Sequence, residues 1–136
     1  MRDTSSQMII FTTADEKISV DVRFDLDTVW LTQQQIAELF CTARSNVTEH
    51  IKHIYDEGEL SAELTCRDFR QVRTEGKRQV TRTNPHYSLD MIISVGYRVN
   101  SKRATQFRQW ATKRLNEYIR KGFTLDDERQ RLFTSA

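Results

Sequence analysis

Ile18, Val20, Val22 and Phe24 alternate with polar residues, the period-2 pattern of a strand with one buried face. Met8-Ile-Ile-Phe-Thr12 forms a second apolar run, and the polar stretch Ala14–Lys17 separates the two. Together they predict a β-hairpin over residues 8–24. A two-stranded hairpin is barely stable in water, so its apolar face must rest on other elements. The period then changes to that of a helix. Thr32 is placed to N-cap Gln33–Phe40, Gln35 is placed to complete a capping box, and Ile36, Ala37, Leu39 and Phe40 form the buried stripe. A second helix starts near Ala43 to Ser45, buries Val47, Ile51, Ile54 and Tyr55, and stops at Gly58. Only about three residues separate these helices, as a helix-turn-helix requires. The pair spans 32–57.

Glu59 to Thr65 reads either as a polar connection anchored by Leu60 and Leu64 or as one more helical turn. Arg67–Arg73 and Lys77–Thr83 then flank Thr74-Glu-Gly-Lys77, which predicts a second hairpin over 66–83 with its turn at Glu75-Gly76. Phe69 and Val72 lie three apart and break strict alternation, so a β-bulge is allowed there. Asn84-Pro85 reads as punctuation. Ser88 is placed to cap a short apolar helix, Leu89–Val95, that ends near Gly96. Ser101 is placed to cap a long one that runs to Lys121, with Ala104, Phe107, Ala111, Leu115 and Tyr118 on its apolar face and Gly122 as its stop. These helices occupy 88–121, and residues 126–136 form a charged tail. The expected architecture is α+β, a single winged helix-turn-helix-like domain over 1–125: an N-terminal β-hairpin, a helix-turn-helix with a basic wing-like hairpin, then a short and a long C-terminal helix.

Charge sharpens this picture. The chain of 136 residues carries a net charge of only +2. Counted by segment, residues 1–65 hold 5 basic and 12 acidic side chains, whereas residues 66–121 hold 14 basic and 4 acidic. A cationic stretch of that strength concentrates polyanions, and release of counterions from a nucleic acid supplies affinity without any reading of sequence. The alternative is that these residues only solubilise the hairpin and helix surfaces.

The helix pair supplies what charge alone cannot. Ile36 and Ala37 fit the apolar and small positions at the helix crossing, and Val47 packs the second helix back. Cys41 stands where such turns usually have glycine, and serves if the backbone there is not left-handed. In this register Arg44, Ser45, Asn46, Thr48, Glu49 and Lys52 lie on the exposed face at the start of the second helix. Arg44 suits guanine, Asn46 adenine and Glu49 the amino group of cytosine, while Ser45 and Thr48 suit phosphates or degenerate base contacts. Carboxylates at Glu38, Glu49, Asp56, Glu57 and Glu59 would repel phosphate. The compensation is expected from Arg67, Arg70, Arg73, Lys77, Arg78 and Arg82 on the wing, with Lys102 and Arg103 adding backbone contacts.

Four stretches, Val29-Trp-Leu-Thr-Gln33, Ile92-Ile-Ser-Val-Gly-Tyr-Arg-Val99, Thr105-Gln-Phe-Arg-Gln-Trp-Ala-Thr112 and Glu117 through Asp127, closely resemble the RhuM family of virulence-associated bacterial proteins. The resemblance covers nearly the whole chain. It implies a DNA-binding type found on genomic islands and mobile elements. Members of the family are usually longer, so the chain resembles their N-terminal portion or a truncated member. Asn84-Pro-His-Tyr-Ser-Leu89 departs from the family's aromatic-rich Tyr-Tyr-Asn-Leu form. Phe107-Arg-Gln-Trp110 also resembles phage antirepressor-type domains.

The reading is therefore a sequence-specific double-stranded DNA-binding protein, a transcriptional regulator of a genomic island or mobile element, without enzymatic activity or cofactor. Its rivals are a protein-interaction module of a toxin–antitoxin or phage-defence system, whose basic face docks an acidic partner, and a metal-dependent nuclease. His50 and His53 are three apart on a helix but lack a full ligand set for zinc. Trp30, Phe107, Trp110 and Tyr118 could stack on single-stranded bases, yet the helical spacing of the last three fits a core or a homodimer seam better. With no apolar run of membrane-spanning length and no secretory signal pattern, the expected compartment is the cytoplasm, with Cys41 and Cys66 as free thiols.

Overall fold

The computed structural model describes residues 7–125, with the side chains of 71–73 and 118–125 left out, so the 126–136 tail and the side chains of Arg73 and Tyr118 lie outside the described part. Ten elements follow in order: β1 (Gln7–Thr12), β2 (Ser19–Asp25), β3 (Thr28–Leu31), α1 (Gln33–Phe40), α2 (Arg44–Asp56), α3 (Ala62–Thr65), β4 (Cys66–Glu75), β5 (Arg78–Ser88), α4 (Leu89–Arg98) and α5 (Arg103–Leu125). The strands form one antiparallel sheet in the order β1-β2-β3-β5-β4. This is the α+β arrangement expected, with the α1–α2 pair between two hairpins in chain order and two helices closing the chain.

Phe11, Val20, Val22, Phe24, Val29, Leu31 and Tyr87 are buried on the sheet side of the core. Ile36, Leu39, Val47, Ile54, Met91, Ile92 and Phe107 meet them from the helices. The first hairpin matches the 8–24 prediction, but β3 has no counterpart in the pattern. Three of its four residues are buried, so it shows no alternation, and it leaves β2 through Leu26 (φ 52°) and Asp27 (φ 65°). Positive φ at both central residues is the type I′ geometry, made here without the Asn-Gly pair that normally advertises it.

The second hairpin corrects two expectations. Pairing runs without a break from Cys66 opposite Tyr87 to Glu75 opposite Arg78, so there is no bulge, and the turn is Gly76-Lys77 rather than Glu75-Gly76. Gly76 takes φ +65° there, where glycine is unstrained. β5 also continues through Asn84-Pro85 to Ser88, beyond the 66–83 boundary. Proline is tolerated because β3 pairs only with Tyr87 and Ser88, leaving the other flank of β5 open at Pro85, where no ladder hydrogen bond is lost. Between the helix pair and this hairpin α3 provides the extra helical turn: Leu60 packs on the core, whereas Leu64 is 79% exposed.

Of the three glycines expected to stop a helix, Gly58 follows the end of α2 at φ +74°, but the other two do not stop theirs. α4 passes through Gly96 to Arg98, and the chain turns at Asn100 (φ 56°). A Cβ at Gly96 would lie 2.6 Å from the Cβ of Ala104 and 2.8 Å from Cζ of Phe40, so glycine here permits close helix contact. α5 likewise continues through Gly122 to Leu125. At its start the Arg103 N–H donates to Ser101 Oγ (3.1 Å), the capping role expected of Ser101. Ser88 precedes α4 as expected, but its hydroxyl is buried without a hydrogen-bond partner and makes no cap bond. Among the described residues no helix is long and apolar enough to cross a membrane.

Candidate nucleic-acid interface

The α1–α2 pair is built outward from its first residue. Thr32 Oγ1 accepts from the Gln35 N–H (3.2 Å) and Gln35 Oε1 accepts from the Thr32 N–H (2.9 Å), the capping box expected. The turn then reverses one expectation: Cys41 adopts φ 53°, ψ 48°, so the left-handed backbone is required and a residue with a Cβ carries it. This geometry lets the Thr42 N–H reach the Ala37 carbonyl (3.0 Å) and close α1. α2 follows at once, with Val47, Ile51 and Ile54 buried.

Arg44, Ser45, Asn46, Thr48, Glu49 and Lys52 are all exposed on α2. They are not equally available. The Thr48 hydroxyl donates to Gln33 Oε1 (2.6 Å), with the Arg44 carbonyl at 3.1 Å. Asn46 Nδ2 donates to Thr42 Oγ1 (3.0 Å), and Glu49 lies 3.7 Å from His53. Arg44, Ser45 and Lys52 have no side-chain partner among the described residues.

Gln33 is the residue the sequence did not flag. While its Oε1 takes the Thr48 hydroxyl, its Nε2 donates to Tyr87 Oη (3.1 Å), so one side chain ties α2 to the base of the β4–β5 hairpin. Burial pushes the Tyr87 phenol above its ordinary pKa, which keeps it a neutral partner for that bond. Nothing in a glutamine at the first position of a helix signals this role, because both partners are distant in sequence.

The hairpin is braced from the other side as well. Arg23 of β2 donates from Nη2 to the Arg70 carbonyl (3.2 Å) and lies 4.7 Å from the Phe69 ring centre. Phe69 meets Trp30 and His86 edge-on. His86 is buried, and burial lowers its pKa. The ring is therefore neutral near pH 7, and Nδ1, 2.9 Å from the Asn84 carbonyl, carries the proton it donates there.

Arg67, Arg70, Lys77, Arg78 and Arg82 are exposed on the hairpin. Between hairpin and helix pair lies a polar cleft of about 560 Å³, lined by Gln34, Glu38 and Arg44 on one side and Glu75, Arg82 and Asn84 on the other. The structure thus brings Arg44 and Arg82 to one cleft. Lys102 and Arg103 line a different groove, with Thr13, Ala14 and Asp15. Arg103 is engaged there, 3.0 Å from Cys41 Sγ and 3.7 Å from Asp15. The Asp15 carboxyl sits below its ordinary range, chiefly through the hydrogen bond from the Thr13 hydroxyl, then the Lys17 N–H and the Arg103 charge.

Three aromatic candidates, Trp30, Phe107 and Trp110, face inward. Trp110 packs on Phe11, Phe24 and Phe107, with ring centres 5.0 to 5.8 Å apart, and Trp30 is buried with its Nε1 donating to the Asp25 carbonyl. Among the described residues no three His, Cys, Asp or Glu side chains come together as a metal site.

No curated protein matches this sequence, and no solved structure does. A family profile described as the Virulence protein RhuM family matches residues 64–135, just over half the chain, from α3 onward and leaving the α1–α2 pair outside the matched segment. On the strength of that match, the chain belongs to the RhuM family of virulence proteins.

Proposed function

We propose that this protein binds double-stranded DNA, with α2 entering the major groove and the β4–β5 hairpin lying along the adjacent backbone as a wing. It acts as a sequence-specific transcriptional regulator of a genomic island or mobile element, in the compartment that holds the DNA, as a binder and not a catalyst. The observation that carries this reading is the shared cleft: Arg44 at the first turn of α2 and Arg82 on the hairpin open onto it together, with the exposed Lys77 and Arg78 at the hairpin tip. Arg44, Ser45, Asn46, Glu49 and Lys52 present groups suited to base edges and phosphates. Thr48 orients α2 through Gln33. Lys102 and Arg103 stand in a separate groove and contribute to the long-range field. A second copy on a neighbouring half-site would double the footprint. Trp110, which suggested a seam on α5, is engaged by its own chain.

Selection of bound duplexes from a random library, followed by salt titration, tests the reading. Enriched sites and a steep salt slope are expected. Replacing Lys77 and Arg78 with alanine lowers affinity for all sequences and flattens the slope by up to about 0.9 for each phosphate no longer neutralised. Arg44→Ala and Asn46→Ala relax preference at particular base pairs. Weak, sequence-blind association would instead favour a protein-interaction module, and cleavage of plasmid DNA with magnesium or manganese would point to a nuclease.

A further inference from the structure

Arg82 differs from the other wing cations. Arg67, Lys77 and Arg78 have no ion-pair partner among the described residues, whereas Arg82 Nη2 lies 3.1 and 3.4 Å from the two carboxylate oxygens of Glu75. The choice of partner is informative. Glu75 stands directly across the ladder from Arg78, the neighbour that an exposed carboxylate reaches most cheaply. It bypasses Arg78 for Arg82, four rungs further from the turn, and both members of the resulting pair line the cleft that also holds Arg44. An anion is therefore already seated on the wing arginine that faces α2.

Carboxylate and phosphate offer the same paired oxygens to a guanidinium fork. The internal pair is half-exposed, 54% for the Arg82 side chain and 46% for Glu75, so solvent and salt weaken it and a polyanion can displace it. We infer that Glu75 holds, on Arg82, the place that a DNA phosphate takes, so that seating the duplex exchanges an internal carboxylate for a backbone phosphate. This rests on the duplex-binding reading above. Glu75 is then a specificity-determining residue: it restrains sequence-blind attraction at the cleft. Arg82 is released only when a phosphate comes close enough to compete, as happens when α2 is docked in the groove.

The test measures the affinity of a labelled duplex across a salt series by fluorescence anisotropy, for the full chain and for Glu75→Gln, Arg82→Ala and the double variant. Asp68→Asn serves as a control that removes a wing carboxylate outside the cleft. Glu75→Gln is expected to tighten binding about 3- to 10-fold, because the competing carboxylate is gone, and to change the log–log salt slope by less than the roughly 0.9 of one phosphate contact, because Arg82 meets the same phosphate in both proteins. Arg82→Ala loses that contact and flattens the slope by about 0.9, and in its background Glu75→Gln no longer tightens binding. The inference is overturned if Glu75→Gln has no effect, if it matches Asp68→Asn, or if its tightening persists without Arg82. If the unaltered chain binds no duplex at any salt, the DNA reading fails and the inference falls with it. Binding by the unaltered chain with no response to Glu75→Gln sinks the inference alone. Thermal melts of each variant confirm that the fold is intact.

Discussion

Gly96→Ala tests the packing that holds α1 against the C-terminal helices. In an exposed helix, replacing glycine with alanine is favourable by about 1 kcal/mol. At Gly96 the added methyl meets the Ala104 Cβ at 2.6 Å and Phe40 Cζ at 2.8 Å. Carbon atoms pack comfortably at about 3.5–4.0 Å, so both contacts overlap by roughly 1 Å. The Phe40 ring can swing, but the Ala104 Cβ is one bond from the backbone of α5, so that helix must move. Overpacking costs about 1–3 kcal/mol and more where backbone shifts. The packing cost exceeds the propensity gain, and a net loss of about 1–2 kcal/mol is expected from urea denaturation followed by circular dichroism. For a chain of this size that lowers the melting temperature by several degrees, at about 2–8 °C per kcal/mol. Ala104→Gly removes one of the two overlaps, so Gly96→Ala should cost less in that background than in the unaltered chain. Unchanged or increased stability for Gly96→Ala, or strict additivity with Ala104→Gly, would refute the steric argument.

Cys41→Gly should raise the urea midpoint. A left-handed residue with a Cβ costs about 1–2 kcal/mol, and glycine's extra freedom in the unfolded chain returns about 0.4–1 of that, for a net gain of about 0.5–1 kcal/mol. A loss would mean that the contact of Cys41 Sγ with Arg103 outweighs the backbone strain. His86 should make stability depend on pH. Because burial holds its pKa below the ordinary 6.5, the unfolded chain takes up a proton that the folded protein resists, so stability is level above pH 6.5 and falls as the pH drops below it. Urea midpoints between pH 7.5 and pH 5 check this; His86→Gln should lose the dependence, and an equal slope in that variant would assign it elsewhere.

What the sequence disclosed depended on whether a pattern was local. The β1–β2 alternation, the Thr32 capping box and the stripe of Val47, Ile51 and Ile54 are each contained within a few residues, and each is found where expected. β3 was hidden because Val29, Trp30 and Leu31 are all buried, which erases the period-2 signal. Pro85 and Gly96 were misread for a shared reason. Their usual meanings assume an isolated element, whereas here an open strand flank admits Pro85 and a helix contact requires Gly96. The exposed face of α2 was legible from helical spacing alone. The cleft was not, because which wing residues meet Arg44 depends on how the long β4–β5 ribbon lies against the helix pair, and no local period encodes that.

The run Thr32-Gln-Gln-Gln35 shows how such long-range placement is achieved. Each of its side chains is spent on a different neighbour: Thr32 on the first turn of α1, Gln33 on α2 and β5 together, Gln34 on Glu38 at the cleft, and Gln35 on both the cap and the Asp21 carbonyl of β2. Long amides suit this task because each carries both a donor and an acceptor at the end of a flexible stem, so one residue can satisfy two elements at once. A serine or alanine at Gln33 would leave α1 just as helical and just as well capped, yet would cut the only described side-chain hydrogen bonds joining the proposed recognition helix to the wing. The angle between the two surfaces proposed to grip one duplex is therefore set at the first turn of α1, in residues that do not touch the cationic tip and meet the exposed face of α2 only through Thr48.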